Sequence, residues 1–153
     1  MKSLPASVLL LLTLCGTAQA LTEGYYEHDE QARALLSSVD WDKAKLVEIT
    51  LDDFTFKPHE IILERNRPAI LRLSNVGKLA HDMSGKGFFQ VALIRQVSSD
   101  TFRVVTPYIQ SIHVRPRQQA EIWLLPVRTG TFSFQCGIPG HREQGMEGQV
   151  TVR

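Results

Sequence analysis

Three side chains with sulfur or imidazole donor atoms stand at two equal steps of five residues near the C-terminal end of the chain. They are Cys136, His141 and Met146, in the segment FSFQCGIPGHREQGMEG. Thiolate, imidazole and thioether groups are soft or borderline ligands, and together they select copper over magnesium or calcium. Residue types and spacing therefore indicate a copper site, provided that the fold brings the three side chains to one point.

The sequence around these residues is typical of a strand that ends in a tight loop. Alternation predicts a strand with Phe132 and Phe134 on one face. Gly137, Pro139 and Gly140 then stop it, because proline fixes φ and glycine permits positive φ. Taken singly, a lone cysteine is usually an apolar filler, a methionine near a strand is usually core, and a loop histidine is usually solvated. The spacing together with the glycines favours the metal site.

The segment FQCGIPGHREQGMEGQVTV resembles the copper loop of the cupredoxins, the blue copper proteins, and its spacing is closest to the rusticyanin-like members. That family also needs a histidine well upstream, after an earlier strand, and His81 in LRLSNVGKLAHDMSG has such a position. The resemblance covers roughly residues 45–153. It implies one mononuclear type 1 copper ion with three equatorial ligands and one long axial ligand. The equatorial ligands would be His81, Cys136 and His141, and the axial ligand Met146.

The neighbours of His81 leave alternatives open. Met83 could line the site or belong to the core, and no family motif places it. Asp82 stands where many cupredoxins have Asn or Ser, and an ionised carboxylate accepts hydrogen bonds but donates none. Close to Cys136 it would favour Cu(II) and lower the reduction potential, whereas in solvent it would do little. The remaining histidines match no ligand position and are expected to be surface or structural residues: His28, His59 and His113.

Short strands separated by turns dominate the chain after residue 43. The strand pattern occurs in KLVEITL, EIILER, AILRLSN, QQAEIWLLP, GTFSFQC and GQVTV. In DDFTFKP, Phe54 and Phe56 are expected on one face, and FFQVALIRQV fits either a buried strand or a helix. We therefore expect an all-β sandwich or barrel over residues 44–153, and the resemblance implies the cupredoxin-like Greek-key form.

The first 43 residues divide into two segments. Residues 1–20 have the pattern of a cleaved secretory signal peptide, with Lys2, the short apolar run VLLLLTLCG and the small-residue site AQA. A lipid anchor on Cys15 and an uncleaved anchor are the weaker alternatives. Residues 21–43 form a polar extension in which apolar side chains recur at helical spacing, so a short helix is expected. The mature chain would be periplasmic and without a transmembrane segment.

Charge and cysteine content argue against nucleic-acid binding and against an internal disulfide. Cleavage would remove Lys2 from the 17 basic residues and leave them equal to the 16 acidic ones. A near-neutral chain is not expected to bind nucleic acid, which requires a basic excess. Cys136 would then be the only cysteine, so it could not form an internal disulfide. A lone cysteine in an oxidising compartment suggests an intermolecular bridge, a free thiol or a metal ligand.

The resemblance implies an electron carrier, not an enzyme, that transfers single electrons by Cu(I)/Cu(II) cycling. Redox partners such as cytochromes or a terminal oxidase would dock transiently near His141, beside Ile138 and Pro139. A set of arginines could steer an acidic partner or could equally be scattered solvated charges: Arg95, Arg103, Arg115 and Arg117.

The alternative is a periplasmic copper-binding protein for copper resistance or for delivery to an oxidase. The same ligands would serve, although such proteins often carry Met-rich or His-rich tracts, which this chain lacks. Copper nitrite reductases and multicopper oxidases need a second copper site and further domains, and FQCGI lacks the His-Cys-His run expected there. A plain adhesion sandwich would make the four matched positions a coincidence.

Overall fold

The computed structural model describes residues 29–153. The predicted signal peptide, Cys15 and His28 lie outside the described residues. Helix α1 covers residues 29–37, a 3-10 turn follows at Trp41–Lys43, and a short helix α2 covers Lys86–Phe89. The strands are β1 (Lys45–Asp52), β2 (Thr55–Lys57), β3 (Glu60–Leu63), β4 (Ala69–Asn75), β5 (His81–Ser84), β6 (Ala92–Ser99), β7 (Arg103–Val104), β8 (Ser111–Val114), β9 (Gln119–Pro126), β10 (Gly130–Gln135) and β11 (Glu147–Val152).

These strands form two sheets that enclose one apolar core. The six-stranded sheet has the order β2-β1-β4-β9-β6-β7, and the five-stranded sheet has the order β3-β11-β10-β5-β8. Strand β4 shows the cause of the layering, because alternate residues such as Leu71 and Leu73 are fully buried while those between them are partly exposed. The predicted all-β sandwich with a short N-terminal helix is confirmed.

Two local expectations need correction or refinement. Phe54 does not share a strand face with Phe56, because Asp52 pairs with Thr55 and the chain reverses over the two residues between them. Phe54 has a positive φ of 65° in this hairpin turn. The ambiguous segment FFQVALIRQV contains both predicted structures, since it ends helix α2 and then forms most of β6.

The N-terminal extension packs on the sandwich. Ala32 and Leu36 of helix α1 are buried. Trp41 then lies against Trp123 of β9, with ring centroids 6.1 Å apart, and the guanidinium of Arg95 stands 4.9 Å from the Trp41 centroid. None of the helices within residues 29–153 is long and apolar enough to cross a membrane.

The two sheets bring three distant parts of the chain to one end of the sandwich. Strand β5 begins at His81, and it pairs with the last residue of β10 through Ser84 and Gln135. Cys136 follows directly after β10. The turn between β1 and β2 also reaches this end, because the ring of Phe54 packs edge-on against His141 at 5.1 Å between centroids.

Candidate metal centre

His81, Cys136 and His141 form one buried cluster. The Nδ1 atoms of the two histidines are 3.2 Å apart, and the Cys136 sulfur lies 3.4 Å from Nδ1 of His141. All three donor atoms lie within 4.8 Å of one another. A metal with bonds of about 2.0–2.3 Å to three donors in a trigonal arrangement separates those donors by about 3.5 Å. The spacing of the cluster therefore fits one shared metal ion.

Backbone hydrogen bonds hold the loop between β10 and β11 in place around the cluster. The N–H of Cys136 donates to the carbonyl of Met146 at 2.9 Å, so both ends of the loop are joined. The N–H of Met146 donates to the carbonyl of His141 at 3.1 Å. Gly140 has a φ of 84°, as expected for the residue that turns the chain immediately before His141. The loop thus presents Cys136 and His141 as a preformed pair.

The sulfur of Cys136 is buried and accepts a backbone hydrogen bond. The side chain is 2% exposed, and the backbone N–H of Asp82 donates a hydrogen bond to the sulfur at 3.3 Å. The thiolate is the form in which cysteine ligates metals. A peptide N–H directed at the sulfur therefore supports ligation, and it also ties β5 to the loop that follows β10.

His81 is poised as a neutral ligand. Burial first, and then the neighbouring His141, lowers the pKa of His81 below its usual value, although Asp53 partly opposes this shift. A neutral imidazole keeps one nitrogen lone pair free for a metal. Because Nδ1 faces the cluster, the proton of the neutral ring belongs on Nε2, which points toward Asp53.

Met146 completes the set of four residues named from the sequence. Its side chain is fully buried, and its backbone bonds to Cys136 and His141 place it beside the cluster. Its axial role stays a prediction, as do the ligand roles of the other three. Met83 is fully buried among the apolar side chains of the core cluster, in the same alternating set of β5 as His81.

Asp82 does not point freely into solvent, since its side chain is 22% exposed and is paired with a histidine. One carboxylate oxygen lies 2.6 Å from Nδ1 of His113 on the adjacent strand β8. His113 therefore has a structural partner, whereas His59 is exposed and lies only near Glu60, at 4.0 Å. Two of the four arginines considered for steering make local contacts, Arg95 with the tryptophans and Arg103 with Gln96.

Sequence reasoning missed the contribution of the β1–β2 turn. Phe54 covers His141 edge-on, and Asp53 places a carboxylate oxygen 3.5 Å from Nε2 of His81. No local motif signals these contacts, because both residues precede His81 by more than two dozen positions. They become visible only once the parallel pairing of β1 with β4 sets the turn beside the loop that leads into β5.

His141 lies at the boundary between the core and the surface. His141 is 8% exposed. Pro139 and Gly140, immediately before it, are exposed, and Ile138 is partly buried. Two large apolar side chains of the loop before His81 are also exposed, Val76 at 61% and Leu79 at 43%.

Comparisons with known proteins found a similar sequence and similar structures. No family model matches the chain. A curated relative, the copper-resistant cuproprotein CopI of Pseudomonas aeruginosa, is 25% identical in an alignment of 189 positions, gaps included, that covers 99% of this chain and 97% of that protein.

Solved structures show the same architecture. Reduced auracyanin from Roseiflexus castenholzii has a TM-score of 0.54 at 18% identity, over 72% of this chain and 98% of that one. The McoA multicopper oxidase of Aquifex aeolicus has a TM-score of 0.62 at 15% identity, over 75% of this chain. The chain spans only about a third of the multicopper oxidases that it matches, 30% in that case.

These likenesses identify the fold, and the structure brings together three of the four residues named from the sequence, His81, Cys136 and His141. The all-β cupredoxin form expected from the sequence is confirmed. The chain therefore has a cupredoxin-like fold.

Proposed function

We propose that this chain is a periplasmic copper protein with one mononuclear type 1 site, and that it acts in copper resistance. His81, Cys136 and His141 would hold the ion, with Met146 as the weak fourth ligand. The observation that carries this proposal is the buried cluster, in which donors of the copper-preferring types stand 3.2 and 3.4 Å apart. The role in resistance is supported by CopI, a protein described as copper-resistant that aligns over 97% of its length.

The protein residues would hold the ligands in place before the ion arrives. The bonds that join Cys136, His141 and Met146 fix the loop, so little rearrangement is needed on binding. Burial of the three donors excludes water and competing ligands. A bound copper ion would supply a one-electron couple between Cu(I) and Cu(II). Such a site could retain either oxidation state, which suits a protein that lowers the free copper concentration.

Electron transfer is the second candidate function. The rigid loop and the nearly buried His141, with exposed Pro139 beside it, favour it because a partner could approach the ring edge closely. Cytochromes or a terminal oxidase would then be transient partners. In either case we propose a binding or carrier protein and not an enzyme, since the segment FQCGI lacks the His-Cys-His run expected of multicopper oxidases.

Absorption and electron paramagnetic resonance spectra of the Cu(II)-loaded mature chain test the site. We expect an intense thiolate-to-copper band in the wild type and its loss in Cys136→Ala. His59→Ala is the matched control, since it removes an exposed histidine outside the cluster, and it should keep the band. A weak spectrum that Cys136→Ala leaves unchanged would contradict the proposal.

A second experiment separates resistance from electron transfer. Deletion of the gene should make cells sensitive to copper, and the wild-type gene should restore growth whereas the Cys136→Ala gene should not. Unchanged copper tolerance in the deletion strain, combined with rapid oxidation of the reduced protein by a cytochrome, would favour the carrier instead.

A further inference from the structure

The outer nitrogen of His81 has an unusual environment for a fully buried ring. Nδ1 faces the cluster, so Nε2 points away from it. Among the described residues, no acceptor completes a hydrogen bond with Nε2, although the ring is 0% exposed. The nearest charged atom is Oδ1 of Asp53, at 3.5 Å. Because an unpaired buried N–H is costly, this carboxylate is the group that compensates it.

Asp53 is fixed in that position by the loop that precedes His81. Its Oδ1 accepts hydrogen bonds from the backbone N–H groups of Lys78, at 2.9 Å, and Leu79, at 3.3 Å. Hydrogen bonds from these two N–H groups to one oxygen stabilise the ionised carboxylate. The carboxylate is therefore a fixed negative charge at neutral pH.

Gly77 makes this close approach possible. A Cβ atom at that position would lie 2.4 Å from Oδ1 of Asp53 and 3.1 Å from Nε2 of His81. The contact with Asp53 is too short for any Cβ atom, so another residue at this position would displace the carboxylate. Nε2 of His81 is thus surrounded by Asp53 of the β1–β2 turn and by Gly77 of the loop before β5.

We propose that Asp53 is a positioning residue for the copper ligand His81. Its carboxylate keeps the ring proton on Nε2, which leaves Nδ1 free for the metal, and its negative charge favours Cu(II) over Cu(I). This inference rests on the proposed copper function. Asp82, the other carboxylate beside the site, acts differently because its charge is directed to His113.

Removal of the charge at residue 53 alone tests the effect on the metal. Asp53→Asn keeps an oxygen that accepts from Lys78 and Leu79 but carries no charge. The matched control is Asp52→Asn, which removes a charge from the neighbouring residue, one that pairs with Lys57 at 3.6 Å. Loss of an outer partner of a ligand typically changes metal affinity by 10-fold or more, so we expect the Cu(II)/Cu(I) affinity ratio to fall about tenfold in Asp53→Asn.

A tenfold change in that ratio raises the reduction potential by about 59 mV for one electron. Spectroelectrochemical titration of the copper-loaded proteins measures it, and the retained thiolate band shows that the site is intact. Asp52→Asn should shift the potential by much less. Equal shifts of the potential in the two variants would overturn the proposal, because loss of any nearby negative charge would then explain the shift.

The ring proton of His81 provides a measurement that needs no copper. In the metal-free protein, nitrogen-15 chemical shifts should show the proton on Nε2 in the wild type and a mixture of both tautomers in Asp53→Ala. A proton on Nδ1 in the wild type would overturn the positioning role. If the wild type takes up copper without a thiolate band, the proposed copper function fails, and the tautomer measurement alone decides the role of Asp53.

Discussion

His81 joins two parts of the molecule through its two ring nitrogens. Nδ1 faces Cys136 and His141. Nε2 faces Asp53, which lies in the β1–β2 turn of the other sheet. Since the ring is fully buried, a second proton would place a positive charge where water cannot solvate it. This one side chain therefore connects metal binding to the pH dependence of stability.

We expect the metal-free protein to lose stability as the pH falls from 7 to about 5. The pKa of His81 is lowered in the folded protein, whereas the unfolded chain takes up a proton near the usual value of 6.5. Below that pH the unfolded state binds more protons, so the free energy of unfolding decreases, by at most about 1.4 kcal/mol per pH unit for one group. Urea midpoints between pH 7 and 5 measure the decrease.

His81→Gln is the control for this prediction, because glutamine does not titrate. The variant should lose less stability than the wild type between pH 7 and 5. The carboxylates of Asp53 and Glu121 have lowered pKa values in the folded protein, so their contribution to stability is also lost on acidification. That loss occurs at lower pH, as the pH falls through and below their usual pKa values of 3.8 and 4.5. Equal losses in wild type and His81→Gln above pH 5 would assign the effect to another group.

At the scale of elements, the sequence predicts sites whose residues lie in one loop. It does not predict contacts that depend on the pairing of strands distant in sequence. Cys136, His141 and Met146 lie in one loop, so their spacing and glycines are enough to suggest a site. His81 was found by resemblance, since nothing in its own segment shows that β5 ends beside β10. Asp53 could not be found, because its contact depends on how β1 pairs with β4. Phe54 was misplaced for a related reason, since alternation cannot reveal a two-residue turn.

The N-terminal extension is attached to the sandwich through a tryptophan pair. Trp41 packs against Trp123, its indole N–H donates to the carbonyl of Leu36 at 3.0 Å, and Arg95 stands within 5.4 Å of the Trp123 centroid. Ala32 and Leu36 of helix α1 are also buried. The extension is therefore part of the folded unit, an arrangement that the helical spacing alone could not predict.

We expect Trp41→Ala to destabilise the protein by about 1–2 kcal/mol. Complete truncation of a buried aromatic costs about 3–5 kcal/mol, and Trp41 is only partly buried, while a cation–π contact adds about 0.5–1 kcal/mol. Cleavage by a protease within residues 29–43 should accelerate, and the copper band should not change. Trp41→Phe should keep part of the stability. Unchanged unfolding and cleavage in Trp41→Ala would show that the extension is held by other contacts.

At the scale of the whole molecule, the metal centre lies where the two sheets meet. Cys136 and His81 belong to the end of the five-stranded sheet, and Asp53 and Phe54 belong to a turn of the six-stranded sheet. An ion bound to His81 and His141 would therefore be surrounded by groups from both layers. Separation of the sheets on unfolding would destroy the site, so binding energy should appear as stability of the entire domain.

Copper binding should accordingly raise the melting temperature of the wild-type protein by about 10 °C. A ligand at 1,000 times its dissociation constant adds about 4 kcal/mol to a folded state that alone binds it, and each kcal/mol corresponds to roughly 3 °C or more in a domain of this size. Calorimetry with and without Cu(II) measures the rise, which Cys136→Ala should abolish and His59→Ala should retain. An equal rise in Cys136→Ala would mean that copper binds elsewhere on the surface, because only a site that requires this thiolate depends on the junction of the two sheets.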